Sequence, residues 1–160
     1  MIMTPLRLVC SNTEDVKDSF CSGLGALQKS ERRKIAVPDT RKITGSIAID
    51  KSTEKHYPNA NRWDYAIEYD NETFFIEFVT NEIKTVLAKL EWIKLWLCNE
   101  APAINAIKSG RRNPYHWVST GAIAILPNSK YAKILAQVKL TPVKSWDYSK
   151  IPIEEKRRSD

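Results

Sequence analysis

No apolar run in the chain approaches the ~20 residues a helix needs to cross a bilayer, so a membrane-spanning protein is not expected. The opening stretch MIMTPLRLVCS is apolar, but it is short and weakly basic at its head, so it does not read as a secretory signal and the expected compartment is the cytoplasm. Cysteine is scarce. Cys10, Cys21 and Cys98 are odd in number and contain no close-spaced pair, which argues against a disulfide framework or a cysteine zinc site and leaves buried structural thiols as the expectation. The two histidines, His56 and His116, fall in different elements without ligand spacing, so a histidine metal centre is not indicated. The one close glycine pair, Gly23-Leu24-Gly25, follows no strand and opens no helix, which excludes a phosphate-cradling glycine loop and suits close helix packing instead. Internal repeats, low-complexity tracts and domain boundaries are also missing. The 160 residues therefore read as a single domain, 1–160, long enough to bury roughly two thirds of its unfolded surface.

What is present begins with charge. Twenty-five Lys and Arg against 19 Asp and Glu give a net charge of +6 and an isoelectric point near 9.2. Such a balance allows a polyanionic partner, because basic surface attracts phosphate by counterion release. The cations gather in KSERRK (29–34), at Arg41-Lys42, at Arg111-Arg112 and in EEKRR (154–158), and clustering matters more than the total. The alternative reading of the same clusters is solvated helix ends and a tail.

The most informative stretch is RWDYAIEYDNETFFIEFV, 62–79. Trp63, Tyr65, Ile67 and Tyr69 alternate with Asp64, Ala66, Glu68 and Asp70; Phe74, Ile76 and Phe78 then alternate with Phe75, Glu77 and Val79. Aromatic and β-branched residues at period two predict a hairpin. A two-residue loop at Asn71-Glu72 pairs Asp64 with Val79, whereas a loop at Asp70-Asn71 pairs Asp64 with Glu77. Either even register puts the Asp64 and Glu77 carboxylates on one face, and a bulged three-residue loop would separate them.

Around this hairpin the chain alternates between helical and strand patterns. Asn12 or Thr13 caps an expected helix running to about Lys34, with Val16, Phe20, Leu24 and Leu27 on its apolar stripe and Glu31 at the next stripe position. RKITGSIAID (41–50) is an expected strand with Ile43, Ile47 and Ile49 on one side. The polar connection 51–61 leads into the hairpin. NEIKTVLAKLEWIKLWLCNE (81–100) is a strong helix with Ile83, Val86, Leu87, Leu90, Ile93 and Leu97 inward, Lys94 within that sector, and Lys84 and Lys89 outside it. YHWVSTGAIAIL (115–126) has the near-continuous apolar character of a strand buried on both faces, parallel to the second hairpin strand by a right-handed crossover. A final helix starts after the N-cap Ser129, and Trp146, Tyr148 and Ile151 of the Pro- and charge-rich tail are expected to pack back on the surface.

The order helix, strand, strand, strand, helix, strand, with acids on the second and third strands, resembles the PD-(D/E)XK nuclease superfamily over residues 13–126. The resemblance implies an α/β restriction-endonuclease-like core with a four-stranded mixed sheet flanked by helices, here followed by a C-terminal helix and tail (127–160). It also implies a metal site of Asp64 and Glu77 helped by Glu31 from the first helix, holding Mg2+ or Mn2+, and hydrolysis of nucleic-acid phosphodiesters. The family places a lysine two residues after the third-strand acid, and this chain has Val79 there. Some members of such families carry the lysine on the following helix, where Lys89, closer to the core-facing sector than Lys84, is the preferred substitute.

Other chemistries fit less well. A cysteine or serine nucleophile lacks a placed base, since His116 beside Trp117 suits a hydrogen-bonded structural role. Paired carboxylates for glycoside hydrolysis are disfavoured by the short chain and its basic balance. The reading that competes with a nuclease is a catalytically silent module on the same fold, motivated by Val79 and the basic clusters. Its partners would be nucleic acid, a second copy of the chain, or another protein met by the aromatic tail at Trp146 and Tyr148.

Overall fold

A computed structural model of the chain describes residues 3–79, 82–121 and 125–154. Five strands form a mixed sheet in the order β1 (Phe20–Ser22), β3 (Ile43–Ala48), β4 (Tyr65–Tyr69), β5 (Glu72–Val79) and β6 (Tyr115–Ser119). All neighbours are antiparallel except β5 and β6, which run parallel through the crossover helix α4 (Ile83–Asn99), as the strand-helix-strand spacing requires. A separate two-stranded parallel ribbon pairs β2 (Ile35–Ala36) with β7 (Trp146–Asp147). The remaining helices are α1 (Pro5–Ser11), α2 (Lys29–Arg32), α3 (Ile49–Thr53), α5 (Pro102–Ile107) and α6 (Lys130–Val138).

The pleat sends alternate residues to two cores. Ile47, Ala66, Phe75 and Trp117 pack with Leu6 and Cys10 of α1, Val86, Leu90, Ile93 and Leu97 of α4, Ile104 of α5 and Leu135 of α6. Ile67, Tyr69, Phe74, Ile76 and Val118 pack on the other face with Leu27 and Trp146. The tail thus covers the second face, with Trp146 fully buried and Tyr148 and Ile151 packed against the same cluster, so the Trp146 side chain expected at a protein contact is consumed by the fold. Ser129 caps α6 as its sequence position predicts, its hydroxyl accepting a hydrogen bond from Ala132 N at 3.1 Å.

Three expectations are corrected. The helix over 13–34 does not form: a 3-10 turn (Glu14–Val16), strand β1 and the single turn α2 replace it. Its apolar stripe is interrupted at Gly23, whose φ of +56° ends regular structure, and Phe20, paired with Ile47, lays its ring over Gly45, which has no Cβ to overlap it. The sheet therefore has five strands and not four, β1 supplying the extra edge. Along β3 a bulge between Ile43 and Gly45 breaks the expected common face of the isoleucines, so Ile43 joins the second core while Ile47 and Ile49 join the first. The strand expected over 115–126 is described as β6 only to Ser119, and residues 122–124 lie outside the described residues.

Candidate active site

The hairpin turn decides the geometry. Tyr69 pairs with Glu72, leaving Asp70 and Asn71 as a two-residue loop with φ of 50° and 64°. Positive φ at both central positions is the turn whose twist matches that of the strands, and Asp and Asn tolerate it. Tyr65 then pairs with Ile76, and Asp64, one residue before β4, faces Glu77. Each carboxylate is held by the backbone of the opposite strand. Asp64 N donates to Glu77 Oε1 at 3.0 Å, and Phe78 N donates to Asp64 Oδ2 at 2.9 Å.

Glu77 is wholly buried beneath α4, and Lys89 Nζ donates to its Oε2 at 2.9 Å. Lys89 lies three residues after Val86 and four before Ile93, so its stem follows the buried ridge of α4 and its side chain retains only 17% exposure. It therefore sits inside the packed sector, where the sequence pattern had put it outside. Lys84 is exposed. The lysine reaches the carboxylates from the helix and not from the second position after Glu77, where Val79 stands.

Two carboxyls and one ammonium leave the cluster short of positive charge. Burial, followed by the neighbouring Asp64 charge, pushes the Glu77 carboxyl far above the usual range. Burial likewise raises Asp64, against the lowering effect of its hydrogen bonds to Glu77 and Phe78 N and of Lys89. For Lys89 burial alone favours the neutral amine, but the Glu77 and Asp64 charges outweigh it and the ammonium is retained at neutral pH. Burying like charges side by side costs stability, and proton uptake by one carboxyl and the Lys89 ammonium both reduce that cost.

Glu31 does not join the pair. Its Oε1 accepts from the Tyr65 hydroxyl at 2.6 Å and from Gln28 N at 3.0 Å, closing a capping box on α2. Among the described residues no three acidic, histidine or cysteine side chains group as metal ligands, so the expected trio Asp64, Glu77 and Glu31 is not assembled. Instead Glu31 reaches the neighbourhood through Tyr65, whose phenol is pushed up first by burial and then by the Glu31 carboxylate.

An acid that the sequence reading passed over is closer. Asp50, in the first turn of α3, acts electrostatically on both Asp64 and Lys89 and pairs with Arg62 Nε at 2.7 Å. Ile49 N and Asp50 N both donate to the Asp64 carbonyl, at 2.8 and 3.3 Å, which ties the start of α3 to the start of β4. The signal for it was available: Asp50 closes the strand next to the hairpin, and antiparallel pairing of Ala48 with Tyr65 brings that end beside Asp64. Asp50, Asp64, Lys51, Gln28 and Tyr65 line an open recess of about 210 Å³. A larger cavity of about 450 Å³ lies beside His116 and Trp146 and contains none of Asp64, Glu77 and Lys89.

The basic clusters are partly spent on the fold. Arg32 donates to the carbonyls of Leu24 and Leu27, Arg41 pairs with Asp39 at 3.1 Å, and Arg112 pairs with Glu72 at 3.2 Å. Residues 155–158 of the last cluster lie outside the described residues. Of the cysteines only Cys10 is buried, its Sγ donating to Val16 O, and Cys98 is exposed. No helix among the described residues is long and apolar enough to cross a membrane. Comparison with protein-family models, curated proteins and solved structures finds no match.

Proposed function

We propose that the chain is a divalent-metal-dependent nuclease of the PD-(D/E)XK kind that hydrolyses nucleic-acid phosphodiesters at Asp64, Glu77 and Lys89. The observation that carries this reading is the convergence of those three side chains, with Lys89 Nζ 2.9 Å from Glu77 Oε2 and Asp64 facing Glu77 across the hairpin. The parallel β5-α4-β6 crossover behind an antiparallel β3-β4-β5 meander is compatible with the restriction-endonuclease-like core.

Asp64 and Glu77 would hold Mg2+ or Mn2+. Their donor atoms are hard carboxylate oxygens, and Mg2+ is commonly held by one or two carboxylates, with waters and substrate phosphate completing its shell. When bound, the ion polarises the scissile phosphate, lowers the pKa of a bound water and neutralises charge on the leaving oxygen. The chain supplies the rest. Backbone amides of Asp64 and Phe78 fix the two carboxylates before substrate arrives, so no reorganisation is needed as charge develops. The Lys89 ammonium has three N–H donors and spends one on Glu77, leaving two to orient a water and to hold an anionic phosphoryl oxygen. Hydrolysis joins the water oxygen to phosphorus, breaks the P–O ester bond, and returns a proton to the departing alkoxide.

The test is cleavage of single- and double-stranded DNA and RNA with Mg2+, Mn2+ or chelator, repeated with Asp64→Ala and Glu77→Ala. Metal-dependent cleavage lost in both variants, with the circular dichroism spectrum retained, is the expected result. Cleavage persisting in both variants after contamination is excluded, or no cleavage by the unaltered chain with any metal, overturns the assignment.

A further inference from the structure

We propose that Lys51 is the substrate-phosphate contact of this site, gripping a backbone phosphodiester of the bound strand; this assignment rests on the nuclease reading above. The recess beside Asp64 presents acid on one side through Asp50 and Asp64, so a phosphodiester entering it meets repulsion unless a cation compensates. Three basic side chains stand around these acids. Lys89 reaches the buried Glu77 at 2.9 Å and does not line the recess, and Arg62 is committed to Asp50 at 2.7 Å and to the Tyr57 carbonyl at 2.6 Å. Lys51 lines the recess, is exposed, and has no ion pair or hydrogen bond to a described side chain.

Its place is fixed by the backbone. Lys51 follows Asp50 in the first turn of α3, and that turn is tied to the Asp64 carbonyl by the amides of Ile49 and Asp50. A rigid link from the acid to the cation is what positioning a polyanion over the reacting centre requires. A lysine serves here as a point charge on a flexible stem, which holds a phosphate without reading a base. Lys51 therefore contributes binding that is independent of sequence.

The experiment measures a labelled single-stranded oligonucleotide binding to the unaltered chain, Lys51→Ala and Lys51→Arg, in chelator over a series of salt concentrations, alongside Mg2+-dependent cleavage kinetics. One lost phosphate contact on a single strand reduces the slope of log K against log salt by about 0.7. The expected result is that loss of slope in Lys51→Ala, several-fold weaker binding, a raised KM with kcat within about two-fold, and recovery in Lys51→Arg. An unchanged slope and KM in Lys51→Ala overturns the assignment while leaving the nuclease reading intact. A reduced slope in a chain that cleaves nothing keeps Lys51 as a phosphate contact and removes the hydrolytic reading. Absence of nucleic-acid binding by the unaltered chain overturns the Lys51 assignment, as does equal displacement of the oligonucleotide by inorganic phosphate, which would mark a free-anion site.

Discussion

Lys89 Nζ and Glu77 Oε2 stand 2.9 Å apart across the interface between α4 and β5, and Glu77 has no solvent exposure. Replacing Lys89 with Met keeps the stem that packs between Val86 and Ile93 and removes only the charge. Cleavage is expected to fall by about 10²–10³-fold, the usual loss when one donor to a developing negative charge is deleted. The fold is expected to lose only about 1–2 kcal/mol, because Glu77 can take up a proton when its ammonium is gone and so escapes the full penalty of a stranded buried charge. Single-turnover cleavage and chemical denaturation of the same variant check both numbers. A Lys89→Met chain with full activity removes Lys89 from the reaction.

Asp64→Asn separates activity from stability. Asn keeps an oxygen to accept from Phe78 N but removes the Asp64 charge, which burial disfavours. Metal-free Asp64→Asn is expected to be more stable than the unaltered chain, because burial disfavours the charge it removes. Metal-dependent cleavage is expected to disappear, and the thermal stabilisation by Mn2+ with it. Thermal denaturation with and without metal measures both.

The same residues show what the sequence could carry. Alternation in 62–79 was sufficient for the hairpin and for the common face of Asp64 and Glu77, because period two is a local property. The choice between registers was not local. It turned on Asp70 and Asn71 accepting positive φ without a glycine, where the favoured Asn-Gly pair is missing. Residues 13–34 failed for the opposite reason: a helical stripe was present, but a tertiary contact, Phe20 against the bare Cα of Gly45, outweighed it. Glu31 was misplaced with that helix. Asp50 was missed because its approach to Asp64 depends on strand pairing between distant segments, as Ala48 opposite Tyr65, 17 positions on, illustrates.

Glu68, on β4 and on the sheet face that Asp64 shares, provides a control. It is wholly buried like Glu77, but it accepts from Leu6 N at 2.9 Å and from the Thr44 hydroxyl at 2.7 Å and meets no lysine, so it joins α1 to the sheet. Glu68→Gln retains one acceptor oxygen and places an amide against the other donor. A loss of about 1–3 kcal/mol is expected from the unsatisfied donor, with kcat unchanged in the folded fraction. Asp64→Asn and Glu68→Gln should thus move stability in opposite directions, which urea titration of the two variants side by side will reveal.

His116 predicts a pH dependence away from the site. Its ring lies between Phe74 and Trp146, at 6.0 and 5.9 Å between centroids, and Nε2 is 2.6 Å from the Asn113 carbonyl. Burial lowers its pKa from 6.5 to about 4, only partly opposed by the Asn113 hydrogen bond. The folded chain therefore binds this proton less readily than the unfolded chain. Its stabilising contribution is complete above pH 6.5 and is lost as pH falls through that value toward about 4. The loss amounts to about 3 kcal/mol at most, from 1.36 kcal/mol for each unit of displacement. His116→Gln removes this titration while leaving the carboxylates that titrate in the same range. The difference in unfolding free energy between the two chains should shrink steadily from pH 7 to pH 4. A difference that stays constant over that interval shows that His116 takes up its proton equally in the folded and unfolded chains, so that burial between Phe74 and Trp146 does not lower its pKa.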